Sequence, residues 1–292
     1  MPKSVIAGPS ILSVDVEDWY HILDVSSAPP MERWQTLPAR VEMNFRRLLD
    51  LFEEHQAHAS CFFLGWVAER YPQLVREAVR RGHEVASHGY AHRLVHRMTR
   101  AEFCADALRA RKILEDVSGT EVGGFRAAGF SVTEDTPWFL TAVAEAGYQY
   151  DSSIFPARHG HGGMRSSRRE PYRVDAEGAD LIEFPISVAD VFGKPMCFFG
   201  GGYLRLFPYA LIRRMALKVL AEGRPVIYYV HPREIDPAHP RLSMSATRRF
   251  KSYVNLQSTE GKLRRILREF PTVTFREYLA TQAAVTGPAY VH

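Results

Sequence analysis

The stretch Ser10-Ile11-Leu12-Ser13-Val14-Asp15-Val16-Glu17-Asp18 decides how the chain is read. Its body is apolar and β-branched, which predicts a buried strand. Its end is a run of acids. A buried strand that terminates in Asp15, Glu17 and Asp18 repels itself unless a cation or hydrogen-bond donors meet the carboxylates there. Strand alternation puts Asp15 and Glu17 on one face. A solvated turn or a helix N-cap is the competing reading of any one of these acids.

Outward from this strand the chain alternates short apolar strands with amphipathic helices. Val41, Phe45, Leu48, Leu49 and Phe52 keep helical spacing up to a turn at His55. Strands are expected at 59–64, 83–87 and 122–126, and helices at 71–81 and 134–146. A further helix opens at Thr99, which has Glu102 at the capping-box distance, and runs to about 117. After Tyr148 the regularity loosens. Residues 151–170 read as a long surface loop, and 172–174 with 181–184 as a hairpin around Glu177-Gly178. A helix at 208–222, a strand at 225–230, a mostly helical run at 247–270 and a strand at 272–275 follow. This order implies parallel β/α units in a barrel or a doubly wound sheet. No linker or repeat interrupts it, so one domain over residues 1–292, with its core at about 10–280, is expected.

Composition narrows the class. The 292 residues are 46% hydrophobic, 24% charged and 12% aromatic, with a formal net charge of +4. Such a chain builds a full core, which excludes disorder, collagen and small disulfide scaffolds. No basic stripe with interleaved aromatics points to nucleic acid. Cys61, Cys104 and Cys197 lack CxxC spacing and read as small core residues. No export signal or membrane-spanning run is visible, so a cytoplasmic placement is expected.

In parallel β/α folds the chemistry lies at the carboxyl ends of strands. The third predicted strand ends in His88-Gly89-Tyr90-Ala91-His92. Two histidines at i and i+4 share one side of a helical turn and can chelate one ion. With a carboxylate from the first strand they make a two-His, one-carboxylate site that leaves positions open for water. Arg126 follows the fourth strand and reads as a site residue or a structural ion pair. His231, after Tyr228-Tyr229-Val230 and before Pro232, projects from a rigid strand end as a catalytic or a rim histidine. His83, His96, His55 and His58 read as surface histidines. Gly200-Gly201-Gly202-Tyr203 reads as a flexible substrate-side loop or a plain turn; it is not a phosphate loop, because no Lys-Ser/Thr follows and no helix is expected to start at the glycines.

Taken in order, these elements resemble the NodB-homology polysaccharide deacetylases (carbohydrate esterase family four), in particular the branch encoded with exopolysaccharide and exosortase gene clusters. The matching segments are Asp15-Val16-Glu17-Asp18, His88-Gly-Tyr-Ala-His92, Arg126-Ala-Ala-Gly-Phe130, Tyr150-Asp151-Ser-Ser153 and Tyr229-Val230-His231. The chain departs from the pattern at the usual adjacent Asp-Asp, at Gly89 and at Ala127-Ala128. The resemblance implies a distorted (β/α) barrel of about seven strands that removes acetyl groups from N-acetylated sugars of a polysaccharide. It also implies a divalent metal, Zn²⁺ first and Co²⁺, Ni²⁺ or Fe²⁺ as alternatives, on His88, His92 and Glu17 or Asp18. Asp15 is then the base, Arg126 its partner, His231 the acid and Asp151 an orienting group for His231. An acetylated oligo- or polysaccharide is the expected partner. Trp19, Tyr20, Trp66, Tyr90 and Phe130 are candidates for stacking on sugar rings or for the core.

Two other functions fit the same residues: a metal-dependent amidohydrolase for a small cyclic amide or ureide, and a non-catalytic carbohydrate-binding barrel. A serine hydrolase is disfavoured, since no G-x-S-x-G elbow occurs.

Overall fold

The computed structural model describes residues 8–157, 160–164, 168–176 and 179–286. Its strands are β1 (Ser10–Val16), β2 (Ser60–Phe63), β3 (Glu84–Ser87), β4 (Gly124–Phe125), β5 (Tyr150–Asp151), β6 (Tyr172–Ala176), β7 (Ala179–Glu183), β8 (Val188–Val191), β9 (Lys194–Cys197), β10 (Ile227–Val230) and β11 (Thr272–Val273). The main sheet runs β10-β1-β2-β3-β4-β5-β7-β6, with β11 also on β1. From β10 to β7 every pairing is parallel, and β6 closes the edge as the antiparallel arm of a hairpin. The result is a mixed α/β fold whose sheet curls into a half-barrel, as expected for a distorted barrel of about seven strands. The turn Glu177-Gly178 of the predicted hairpin lies outside the described residues, as do 158–159 and 165–167 of the predicted loop.

Alternation along β1 explains both its burial and its polarity. Leu12, Val14 and Val16 join the large cluster beneath the helices, with Phe45, Leu48 and Phe52 of the helix Val41–Glu54. Ile11 faces the other way, into an inner cluster with Phe62, Tyr150, Phe184, Tyr229 and Phe275. Ser13 and Asp15 share that inner face and are buried as well. The barrel interior is therefore apolar at one end and polar at the other. The acids emerge where the strand leaves the apolar layer.

Thr99 and Glu102 form the expected reciprocal cap, opening the helix Arg100–Ser118. Several expectations are corrected. The helix expected from 134 begins at Phe139, because Thr133 and Thr136 close a turn on each other and Pro137 follows. The run at 247–270 is two helices, Ala246–Tyr253 and Leu256–Glu269, separated by Asn255 in the left-handed region. Gly200-Tyr203 is not a loop: a helix, Gly201–Leu206, starts at the glycines. Gly200 bridges Tyr229, and a Cβ there would sit 2.2 Å from the Tyr229 ring, so only glycine permits the approach. The helix Gly65–Arg70 and the β8–β9 hairpin had no clear signal in the residue pattern. His83 is buried and accepts from Ala59 N–H at 3.2 Å, contrary to its surface reading. Cys61 and Cys197 are buried, Cys104 only partly. Among the described residues no helix is long and apolar enough to cross a membrane.

Candidate metal and catalytic centre

Parallel register carries the ends of β1, β3, β4 and β10 to one rim of the sheet. Val14 is level with Val230 on β10, Phe63 with Ser87, and Ser87 with Phe125. The residues at or just beyond these strand ends (Asp15 to Asp18, His88, Arg126 and His231) therefore meet without any long side-chain reach.

Beyond Ser87 the chain turns back through Gly89 (φ +73°) to His92, itself in the left-handed region at φ +52°. His88 and His92 come together on a turn rather than on the helical turn the spacing suggested. Asp106 builds that turn by accepting from Tyr90 N–H at 2.7 Å and Ala91 N–H at 3.2 Å. A non-glycine residue at positive φ costs about 1–3 kcal/mol and persists where its surroundings hold it.

Glu17, His88 and His92 each offer a ligand atom, and the three atoms lie within 4.8 Å of one another. His88 donates from Nδ1 to the carbonyl of Arg126 at 2.8 Å, which leaves the Nε2 lone pair free. Glu17 Oε2 is buried, lies 2.8 Å from His92 Nε2, and has no other polar partner within reach. A buried carboxylate oxygen and two imidazole nitrogens converging on one point suit a divalent cation with open positions.

Asp18, the other acid open as a ligand, faces away. Its carboxylate accepts from Trp19 N–H at 2.7 Å, Arg40 N–H at 2.7 Å and Val41 N–H at 2.9 Å. Three backbone donors occupy most of its lone pairs, so it caps the turn after β1 and joins the helix at Val41 to it. Burial nevertheless pushes its pKa up to about 6.

Asp15 takes the third environment. Its Oδ1 accepts from Arg126 at 2.7 Å and its Oδ2 lies 3.7 Å from His231 Nε2. Burial favours the neutral acid, but Arg126, then His88 and His231, outweigh it and hold the carboxyl below its usual range. Arg126 is wholly buried. It also bonds the Ser13 hydroxyl at 2.9 Å and the Ser152 carbonyl at 3.2 Å, and stacks over Phe62 at 4.1 Å.

His231 Nε2 is 3.6 Å from Glu17 Oε1, so one imidazole borders both carboxylates. Its Nδ1 is 3.1 Å from Glu234 Oε2, not in contact with Asp151. Asp151 instead accepts from Ser153 N–H and Oγ–H at 3.0 and 2.6 Å, and its carboxyl interacts with that of Glu183. The expected orienting role of Asp151 is thereby corrected: β5 stands too far round the sheet, and Glu234 occupies the position. Glu234 is buried and paired on its other oxygen with Arg205 Nε at 2.8 Å. Burial opposes a charged His231, but Glu234, then Glu17 and Asp15, outweigh it and raise its pKa. Glu234 was legible in principle, since it stands three residues after His231, the capping-box distance, and its Oε2 accepts from the His231 backbone N–H at 3.1 Å.

The centre opens into a cavity of about 350 Å³ bordered by Asp15, Glu17, His88, His92, Phe130 and His231. Of the aromatics proposed for stacking, Phe130 alone borders it. Trp19, Tyr20 and Trp66 pack with Trp34, and Tyr90 is buried beneath Arg109.

Residues 34–150 match the family described as polysaccharide deacetylase, and residues 152–280 match a domain of unknown function (DUF3473). The polysaccharide deacetylase match thus covers the first part of the chain, and the second segment follows it directly. A peptidoglycan deacetylase of Helicobacter pylori is 28% identical over 113 residues, covering 39% of this chain and 38% of that protein. The match spans well under half of that relative's length. Among solved structures, a protein assigned as a polysaccharide deacetylase in Mycobacterium smegmatis superposes with a TM-score of 0.63 at 19% identity, covering 98% of this chain and 95% of that one. The allantoinase PuuE superposes with 0.62 at 18% identity, covering 96% and 91%. At these identities the two structures share the fold. Asp15 and Glu17 precede both matched segments, and His231 lies in the second.

Proposed function

We propose that the protein is a metal-dependent hydrolase that removes acetyl groups from N-acetylated sugars of a polysaccharide, an exopolysaccharide or related glycan, and that residues 10–280 act as one catalytic unit. The observation that carries this reading is the convergence of Glu17, His88 and His92 on one point, with Asp15 and His231 beside it at the mouth of one cavity.

In this reading Glu17, His88 and His92 hold a divalent cation, Zn²⁺ first. Bound there, such an ion acidifies a water and polarises an acyl carbonyl. Asp15, kept ionised by Arg126, receives the proton of the attacking water on Oδ2, the oxygen that Arg126 does not occupy. His231, kept charged by Glu234, delivers a proton from Nε2 to the departing sugar nitrogen, which is a poor leaving group as an anion. Glu234 holds the ring through Nδ1, so Nε2 points at the reacting atoms. Hydrolysis thus consumes one water and yields acetate and a free amine.

The test is acetate release from acetylated oligosaccharides by the purified protein before chelation, after it, and after readdition of single metals. Release that stops with chelator and returns with metal supports the reading. Acetate output unchanged after complete metal removal refutes the metal assignment. Turnover of a cyclic ureide without acetate release from any glycan would favour the small-amide function instead.

A further inference from the structure

We propose that the glycan bound here is anionic, and that Arg233, Arg248 and Lys251 hold a carboxylate or phosphate carried on a sugar close to the one that is deacetylated. The identity of the ligand as a glycan rests on the function proposed above; the anion subsite itself rests on the following geometry.

The three cations border the same cavity as the candidate metal ligands. Their partners are the anomaly. The two most deeply buried arginines of the neighbourhood are each matched: Arg126 to Asp15 at 2.7 Å and Arg205 to Glu234 at 2.8 Å. Arg233 is not matched in this way. Its Nε is buried without a hydrogen bond, and the carboxylate nearest that atom, Glu17 Oε1, stands 3.9 Å off. Arg248 gives Nη2 to the carbonyl of Leu23 at 2.7 Å, while its Nε is buried and unpartnered. Among the described residues no carboxylate stands at ion-pair distance from Arg248 or Lys251; Asp24 attracts Arg248 only from farther off and is itself paired with Arg97 at 2.8 Å and His161 at 2.7 Å. Of the acids bordering the cavity, Asp15 is paired with Arg126 and Glu17 faces the imidazoles of His92 and His231.

Two guanidiniums facing one cavity, one with its nearest carboxylate 3.9 Å off and the other with none at ion-pair distance, are costly, because each loses water and repels the other. Burial, then Arg233, holds the Arg248 pKa below its usual range. A ligand anion removes both costs. Guanidinium groups match carboxylate and phosphate oxygens through paired N–H donors, and the lysine adds an accessible charge at the mouth.

The same wall carries apolar surface at odds with plain solvent exposure. Phe250 is 56% exposed and Leu206 42% exposed, and both border the cavity. Arg248, Phe250 and Lys251 all belong to the helix Ala246–Tyr253. One helix therefore offers an aromatic face and two positive charges to whatever occupies the cavity. That combination suits a sugar ring bearing an acid group. A neutral acetylated polymer would use the apolar face and leave the cations unmatched.

The experiment measures binding and turnover separately, on the full chain. Three probes of equal length are titrated by calorimetry: a neutral N-acetylglucosamine oligomer, an oligomer alternating N-acetylglucosamine with glucuronic acid, and an acetylated oligomer linked through phosphodiesters. One or both anionic probes are expected to bind about tenfold or more tightly than the neutral one. The advantage shrinks as salt rises. The better of the two identifies the acid group. In R248Q/K251Q the advantage disappears, and in R248K, which keeps the charge, part of it returns; thermal melts establish that each variant is folded. Equal affinity for neutral and anionic probes overturns the proposal. So does an anionic advantage that survives R248Q/K251Q. Acetate release without anionic preference sinks the subsite and leaves the deacetylase function standing. Anionic preference without acetate release from any probe does the reverse.

Discussion

Asp15, Glu17 and Asp18 sit within four residues of one another and meet three different fates. Asp15 accepts from a buried guanidinium, Glu17 faces imidazole nitrogens, and Asp18 accepts from three backbone N–H groups. What separates them is the donor each oxygen finds, since all are acids at the end of one strand. The same logic assigns Glu234. As the group against His231 Nδ1 it is a positioning residue, and E234Q should lower kcat by roughly 10- to 100-fold while KM and bound metal change little. E234D, which restores the charge, should recover part of the loss. Steady-state kinetics with metal analysis checks this. A fall in metal content matching the fall in kcat would instead make Glu234 a scaffold for the metal site.

Elements meet at points where one atom decides the fit. Gly200 lies against the Tyr229 ring of β10, the strand that delivers His231. G200A should force that ring aside, costing about 1–3 kcal/mol of stability in chemical denaturation and more activity than its distance from the chemistry suggests. Wild-type stability in G200A would mean that β10 yields easily. His83, which precedes β3, supports it differently. Burial, then His58 and Arg81, lowers its pKa to about 4 from an ordinary 6.5. The unfolded chain therefore binds the proton over a range where the folded protein does not. The stability contributed by the neutral ring is complete above pH 6.5 and is lost as the pH falls toward 4. H83N, which retains an acceptor for Ala59 N–H, should flatten the decline of melting temperature between pH 7 and pH 5. An unchanged slope would assign the acid sensitivity to other groups.

Across the whole molecule, Arg126 is the joint. From the end of β4 it bonds Ser13 and Asp15 on β1 and Ser152 beyond β5. R126M would leave Asp15 buried without its partner, and breaking one side of such a pair costs about 3–5 kcal/mol. Urea denaturation should show that loss, and D15N added to R126M should recover much of it. A double variant no more stable than the single one would mean that Arg126 acts through the Ser13 and Ser152 contacts. The sheet also crosses the boundary between the two matched segments: β1 pairs with β10, and β5 pairs with β7. The candidate metal ligands and the proposed base come from one side of that boundary and His231 from the other.

The alternation of strands and helices was legible because apolar periodicity reports which face is buried, and the Thr99 cap because its donors and acceptors are neighbours in the chain. The acids after β1, the His88–His92 pair, Arg126 and His231 stood out for a related reason: polar groups directly after apolar strands are expensive unless something meets them. What met them was not legible. Whether Glu17 or Asp18 turned inward depended on backbone N–H groups of Arg40 and Val41, more than twenty residues away. That Glu234 rather than Asp151 reached His231 depended on where β5 and β10 stand around the sheet. The weakly matched Arg233 and Arg248 of the cavity became visible only once the carboxylates among the described residues had been assigned. Local patterns encode which residues must be buried and which must be satisfied; the partner that satisfies each is set by strand register and helix placement, which no single segment contains.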